Sequence, residues 1–298
     1  EGYDFLSKTH NHEIMHSLRW RFSQFAPIRG TATIRHDRTV FLSTDIINLN
    51  RPNIYKLWNG IKAEYVFDNT ISMGLNLYRG TRIKVFGEFF KQVDSKINQN
   101  LFVVGADVRH YLRIHRELVW ANRFAWSSSF GNALLIYYLG GVDNWMNFSP
   151  RTQTFNYSVP IDTTKNFVYQ TVATNMRGFS QNIRNGTSFA LINSELRWPF
   201  IRYIVNRPLS NDFINNLMVI GFFDAGSAWD GWTPWNARNA YNYEVISNGP
   251  ITVTIDKGNN PLVAGYGFGL RSRLLGYYMR CDWAWGIDGG RIDRKSVV

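Results

Sequence analysis

The sequence predicts an all-β protein whose antiparallel strands form a transmembrane β-barrel, and three observations carry that prediction. The first is alternation with a period of two. Between Leu101 and Arg113, the residues Phe102, Val104, Ala106, Val108 and Leu112 share one face, while Gly105, Asp107, Arg109, Tyr111 and Arg113 share the other. Successive side chains of a strand point to opposite faces, so one face of this segment is apolar and the other charged. The second is length: such segments run about 11 to 14 residues, nearer the roughly 9 to 11 of a tilted membrane strand than the roughly 5 or 6 of an ordinary one. The third is composition, with 16% aromatic residues, 11 Trp and only 18% charged residues, which suits a wall bounded by aromatic girdles. The longest clear apolar run, Ala133 to Leu139, is far short of the roughly 20 residues of a membrane helix. In a soluble sandwich the apolar faces would turn inward; in a membrane barrel they face lipid and the charges line the lumen.

Taken in order, the chain begins with a polar stretch, Glu1 to His16, followed by Leu18, Trp20 and Phe22 alternating with Arg19 and Arg21. His12-Glu13-Ile14-Met15-His16 matches a zinc-protease pattern, in which a helix brings two histidines onto one face and the glutamate activates water. Here the motif abuts a strand pattern, and His10, His36, His110 and His115 offer no distinctive third-ligand signature. A zinc metalloprotease using His12, Glu13 and His16 is therefore a minor alternative, and no cofactor is expected. Arg29 to Ile47 reads as one or two strands, Asn48 to Asn53 as a loop, Lys62 to Asp68 as the next strand, and Asn69 to Gly80 as a turn marked by Gly74 and Arg79-Gly80.

Leu118, Trp120, Phe124 and Trp126 then oppose Glu117 and Arg123 in a further strand, and Leu134 to Leu139 reads as the next. Trp145, Tyr137 and Tyr138 are expected at a membrane interface, where amphipathic rings are favoured. Gly140 to Gly186 is a loop of nearly fifty residues, and loops that long are usually functional. It ends in Arg177-Gly178-Phe179 and leads to a strand in which Asn193, Glu195 and Arg197 face inward while Ile192, Leu196 and Trp198 face outward. In Leu217 to Ala225, an inward Asp224 leaves Phe222 and Ile220 inward as well, so that strand is apolar on both faces. Asp230 to Pro261 is a second long loop. Gly265, Gly267 and Gly269 alternate with Tyr266, Phe268 and Leu270; no helix follows, so these glycines make room in the lumen and do not form a nucleotide loop. In the last strand Tyr277, Met279, Cys281 and Trp283 oppose Tyr278, Arg280 and Asp282.

The formal charge of +11, from 33 Lys and Arg against 22 Asp and Glu, is spread along alternating strands. A basic lumen or contact with anionic headgroups accounts for it, and nucleic acid is not an expected partner. The single cysteine, Cys281, falls on a lipid-facing position and excludes an intrachain disulfide. The first residues carry no basic and apolar leader, so a mature or truncated chain is expected.

Arg177-Gly178-Phe179, the Gly186 turn and Asn193-Ser194-Glu195-Leu196-Arg197-Trp198-Pro199 together resemble the sixth-loop motif and following strand of the Omp85 superfamily, the BamA/TamA-like outer-membrane barrels. Gly221-Phe222-Phe223-Asp224-Ala225-Gly226 resembles the next strand of that family. The resemblance implies a 16-stranded barrel of which about 11 strands are recognisable over residues 1–298, roughly the fifth to the fifteenth, without the first strands, the closing strand or the periplasmic domains. The tail from Asp288 reads as too polar and short to close a barrel. It also implies that Arg177, Gly178 and Phe179 lock into the lumen, with Asp224 as acceptor and Glu195 as a second.

The function this implies is non-enzymatic: assembly and insertion of β-barrel substrates in the bacterial outer membrane. The implied partners are outer-membrane lipid, unfolded outer-membrane proteins and accessory lipoprotein subunits. A secretion pore dedicated to one substrate is the nearest alternative, and a passive porin would need neither Arg177 nor Asp224.

Overall fold

The computed structural model describes residues 7–41, 52–93, 98–142, 155–162, 164–205, 210–236, 239–248, 251–289 and 291–297. Six long strands come first: β1 (Ser7–Arg21), β2 (Pro27–Phe41), β3 (Ile54–Asp68), the short β4 (Ile71–Gly74), β5 (Leu77–Gln92), β6 (Asn100–His115) and β7 (Leu118–Gly131), with β4 the exception in length. An insert follows, holding β8 (Leu134–Leu139), β9 (Phe167–Val172) and β10 (Arg184–Gly186). The wall resumes with β11 (Ser188–Trp198), the helices α1 (Phe200–Val205) and α2 (Asp212–Asn215), and β12 (Met218–Trp229). After a hairpin of β13 (Tyr243–Asn248) and β14 (Ile251–Asp256) come β15 (Val263–Leu274), β16 (Tyr277–Asp288) and β17 (Arg291–Val297).

The wall is one antiparallel sheet in the order β1-β2-β3-β5-β6-β7-β11-β12-β15-β16-β17, with β4 attached to β5. This is the all-β, antiparallel barrel-type fold that alternation, strand length and composition together predicted. The path runs from β1 to β17 without closing among the described residues. Its curvature is visible from the insert. Tyr169 on β9 touches Trp58 and Phe90 and bonds Asp37, while Arg184 on β10 pairs with Asp288 on β16. One small element reaches strands across the path because the sheet wraps around it.

The faces divide as their periodicity requires. Phe102, Leu112, Trp120, Phe124, Ile192, Leu196, Phe223 and Phe268 are exposed on the outside, as is Cys281. Strand ends alternate between two mouths. One has short turns, including the Leu275-Gly276 turn, where both residues have positive φ (49° and 86°) as tight hairpins of primed type require, besides the helical connection between β11 and β12. The other carries the long segments 132–187 and 230–262.

Several expectations are corrected. Leu134–Leu139 is not a wall strand: β8 pairs in parallel with β9 and antiparallel with β10 inside the barrel. The fifty-residue loop is thus partly built of strands, and the second long loop holds the β13–β14 hairpin. The tail beyond Asp288 does form a strand, β17, paired to β16 through a bulge, but among the described residues it does not close the sheet, as expected. The strand seen in Lys62–Asp68 begins at Ile54. Tyr137 and Tyr138 do not sit at an interface; Tyr137 is buried against Phe189 and Tyr138 meets Phe155 edge-on. Trp145, Glu1–Leu6 and most of 42–53 lie outside the described residues.

The lumen is also drier than alternation suggests. Tyr137, Leu139, Met176, Phe179 and Ile183 of the insert pack on Phe189, Leu191 and Val263 of the wall. From the opposite mouth, the β4–β5 turn folds inward. Leu77 packs with Val119, Met218, Ile220, Phe222 and Ala284, which explains why Ile220 and Phe222 are apolar yet inward. Burial of this kind supplies the driving force that charges lining a wet channel would not.

Tyr137 also anchors the insert by a hydrogen bond. Ser127 Oγ donates to the Val104 carbonyl at 2.9 Å, so the Tyr137 hydroxyl, 2.7 Å away, donates to Ser127. Burial pushes the Tyr137 phenol up to about 12, and the donor proton is therefore held throughout the neutral and mildly alkaline range. Tyr137→Phe is expected to lower stability by about 0.5–1.5 kcal/mol, measured as the denaturant midpoint, with the same loss at pH 7 and pH 9.

Candidate functional site: the docked loop tip

The site is assembled by register before any side chain is considered. Arg109 stands opposite Arg123, Arg123 opposite Asn193, Asn193 opposite Asp224, Asp224 opposite Gly265, and Gly265 opposite Gly286. Five pairings therefore lay six residues in a single row around the inner wall. Two residues further along each strand, a parallel row contains Glu195, Phe222, Gly267 and Ala284. A one-residue slip in any pairing would turn that strand's contribution outward.

The tip of the insert is held at its base by backbone bonds. Met176 N–H donates to the Gly141 carbonyl at 3.0 Å, and Gly141 N–H donates to the Phe179 carbonyl at 3.1 Å. This presents Arg177 to the wall. Its backbone N–H donates to Asp224 Oδ2 at 3.1 Å, its Nε donates to Oδ2 at 2.7 Å, and its Nη2 donates to Oδ1 at 2.7 Å. Nη1 reaches Glu195 Oε1 at 2.6 Å and lies 3.7 Å from Asp282. The guanidinium carbon sits 3.7 Å above the Phe222 ring, a cation–π contact in a desolvated setting. The Arg177 side chain is 5% exposed and Asp224 is 0% exposed. Burial alone would lower the pKa of Arg177, but its bonds to Asp224 and the charges of Glu195 and Asp282 outweigh this and raise it.

The carboxylates are shared further. Asn193 Nδ2 donates to Asp224 Oδ1 at 2.8 Å and to the Asn175 carbonyl at 3.1 Å. Glu195 also accepts from Arg197 Nε at 2.9 Å and from Arg271 Nη2 at 3.1 Å. Arg197 continues to the other mouth, donating to the Asn76 carbonyl at 2.7 Å. Asn76 has φ 55° and donates in turn to the Tyr278 hydroxyl at 3.0 Å.

Shape does as much as charge. A Cβ on Gly265 would collide with the Arg177 carbonyl oxygen, so only glycine lets the tip lie this close. Gly178 has φ 95°, and a Cβ there would lie 2.9 Å from the Trp285–Gly286 peptide. A Cβ on Gly286 would meet the Phe179 ring. The tip is thus a backbone-on-backbone fit along a glycine-paved stretch of wall.

All five residues of the expected lock are brought together: Arg177, Gly178 and Phe179 on the tip, Asp224 and Glu195 on the wall. Sequence reasoning did not identify Arg271, Asp282, Asn76 or the ring of Phe222 as partners. Their inward parity was legible for Arg271 and Asp282, but not which inward charges meet. The zinc reading is overturned by local conformation. His12, Glu13 and His16 lie within β1, where Glu13 faces away from both histidines and these are roughly 13 Å apart along the strand, beyond any shared ion. Among the described residues no three His, Cys, Asp or Glu are grouped to hold a metal.

No protein-family model and no curated protein matches the sequence. Among solved structures, the chain is similar to the crystal structure of BamA from Haemophilus ducreyi lacking POTRA domains 1-3, with a TM-score of 0.57 and 11% identity. The match covers 98% of this chain and 54% of that one, so the chain spans about half its length. What the likeness gives is architecture alone: this chain has an antiparallel barrel-type wall like that of the matched BamA structure.

Proposed function

We propose that the chain is the barrel part of an outer-membrane assembly protein that helps substrate β-barrels fold and insert. The observation that carries the reading is the docking of Arg177-Gly178-Phe179 onto Asp224 and Glu195 inside a barrel wall. A steadily conducting passive channel would not need Arg177 and Asp224. A protein that must keep its wall in shape while another chain adds a strand by backbone pairing does. The exposed apolar outer face supports contact with lipid, and the mouth with long loops supports an extracellular orientation for the insert. Unfolded outer-membrane proteins and accessory lipoproteins are the proposed partners, in the bacterial outer membrane, without a cofactor.

Depletion of the full-length protein in its native cell, followed by quantification of every outer-membrane protein, tests this. A broad fall across unrelated barrels is the expected result. Loss of one secreted or surface protein, with the other barrels intact, would replace the assembly role with a dedicated secretion pore.

A further inference from the structure

Beside the docked tip lies a cavity of about 170 Å³ with an unusual lining: Arg109, Arg123, Arg177, Arg197 and Arg280, against Glu195 as the single acid. Three arginines stand side by side in register, because Arg82 opposes Arg109 and Arg109 opposes Arg123. Like charges directly opposite one another are destabilising. Asp107 bridges the last two, at 2.8 Å from Arg109 and 2.6 Å from Arg123.

Counting outward through the direct partners does not restore neutrality. Behind the lining stand Asp107, Asp224 and Asp282 as acids and Arg271 as a further base. Six arginines thus face four carboxylates, leaving two positive charges in excess. Arginine does not shed its proton, so titration cannot remove that excess, and charge held partly out of water is costly until it is paired.

The arginines also differ in commitment. Arg177 and Arg197 are nearly or largely enclosed, whereas Arg109, Arg123 and Arg280 keep 36%, 28% and 27% of their side chains exposed. Arg280 approaches Asp282 at 3.3 Å through Nε, and its Nη2 is buried without a hydrogen-bond partner. Asp107 already takes the Nε and Nη2 donors of both Arg109 and Arg123, so these two offer the cavity their remaining donors, beside the Arg280 guanidinium. Guanidinium forks match the oxygen pairs of tetrahedral oxyanions.

We propose that this luminal cavity is a binding site for a small oxyanion of one or two negative charges, of the phosphate type, held chiefly by Arg109, Arg123 and Arg280. The same chemistry exists on lipid headgroups, but the cavity lies on the inner side of the wall, where acyl chains do not follow; the ligand is the soluble ion.

The experiment titrates inorganic phosphate into the full-length protein in nanodiscs of zwitterionic lipid, by calorimetry, with sodium chloride at matched ionic strength as reference. Saturable one-site binding to the wild type is expected, weakened at least tenfold in the Arg109→Gln/Arg123→Gln double variant and in Arg280→Gln. Arg29→Gln, elsewhere on the wall, is expected to bind like wild type. Tryptophan fluorescence reports whether each variant is folded, and the wild-type titration decides the matter even if the double variant is not. No saturable binding to the wild type, binding unchanged in folded Arg280→Gln, or occupancy only when phosphatidylglycerol replaces the zwitterionic lipid would each overturn the site.

Discussion

Arg177→Ala is expected to release the loop tip and destabilise the barrel by about 3–5 kcal/mol, the cost of leaving a buried charge without its partner. Asp224 is wholly enclosed and takes three donors from Arg177: one from the backbone and two from the guanidinium. Alanine keeps the backbone donor and Asn193 but leaves the carboxylate without a counter-charge in contact. Arg177→Lys is expected to recover only part of the loss, because one ammonium cannot bond both oxygens of Asp224 and reach Glu195 at once. Equilibrium unfolding in detergent measures the energy, and limited proteolysis of residues 155–186 measures release of the tip. A loss below about 1 kcal/mol, with the insert still protected, would mean that Arg177 behaves like a surface ion pair.

Gly265→Val tests the fit without touching a charge. Its side chain would occupy the place of the Arg177 carbonyl, a backbone atom that cannot swing aside. Overpacking of this sort usually costs about 1–3 kcal/mol, and here it is relieved by expelling the tip. The variant is expected to show the same protease sensitivity as Arg177→Ala while every carboxylate and guanidinium remains. A combined variant should lose little beyond Arg177→Ala alone, since two changes that break one contact are not additive. Full additivity would show that Gly265 matters for the wall and not for docking.

The wall was legible because its information is local. Alternation along β6, β7, β15 and β16 assigns each side chain a face, and no distant residue is needed to read it. The site was legible only where a motif substituted for distance: Arg177 and Asp224 are far apart in sequence, and the Omp85 resemblance joined them. Arg271 and Asp282 had the right parity but no motif, and the meeting of Arg271 with Glu195 and of Asp282 with Arg177 depends on the registers of β11, β12, β15 and β16 together. β8 misled because Leu134–Leu139 is apolar on both faces, as fits a strand enclosed within a lumen; its length of six residues, against 11 to 16 for the long wall strands from β1 to β16, was the available warning. The histidine motif misled for a different reason: a spacing of four means one face in a helix but a long step in a strand, so the motif has no meaning until its backbone is known.

Arg197 gives the barrel a property that neither mouth has alone. Its guanidinium is divided between Glu195, which also holds the loop tip, and the Asn76 carbonyl on the turn at the opposite mouth, whose neighbour Leu77 supports the ring beneath Arg177. The two mouths therefore draw on one set of contacts. Thermodynamic reciprocity follows: whatever factor an event at the β4–β5 turn applies to docking of the tip, an event at the tip applies to the turn. Asn76→Ala, which leaves the carbonyl but frees the turn from Tyr278, is therefore expected to loosen the docked tip as well, read as protease sensitivity of the insert.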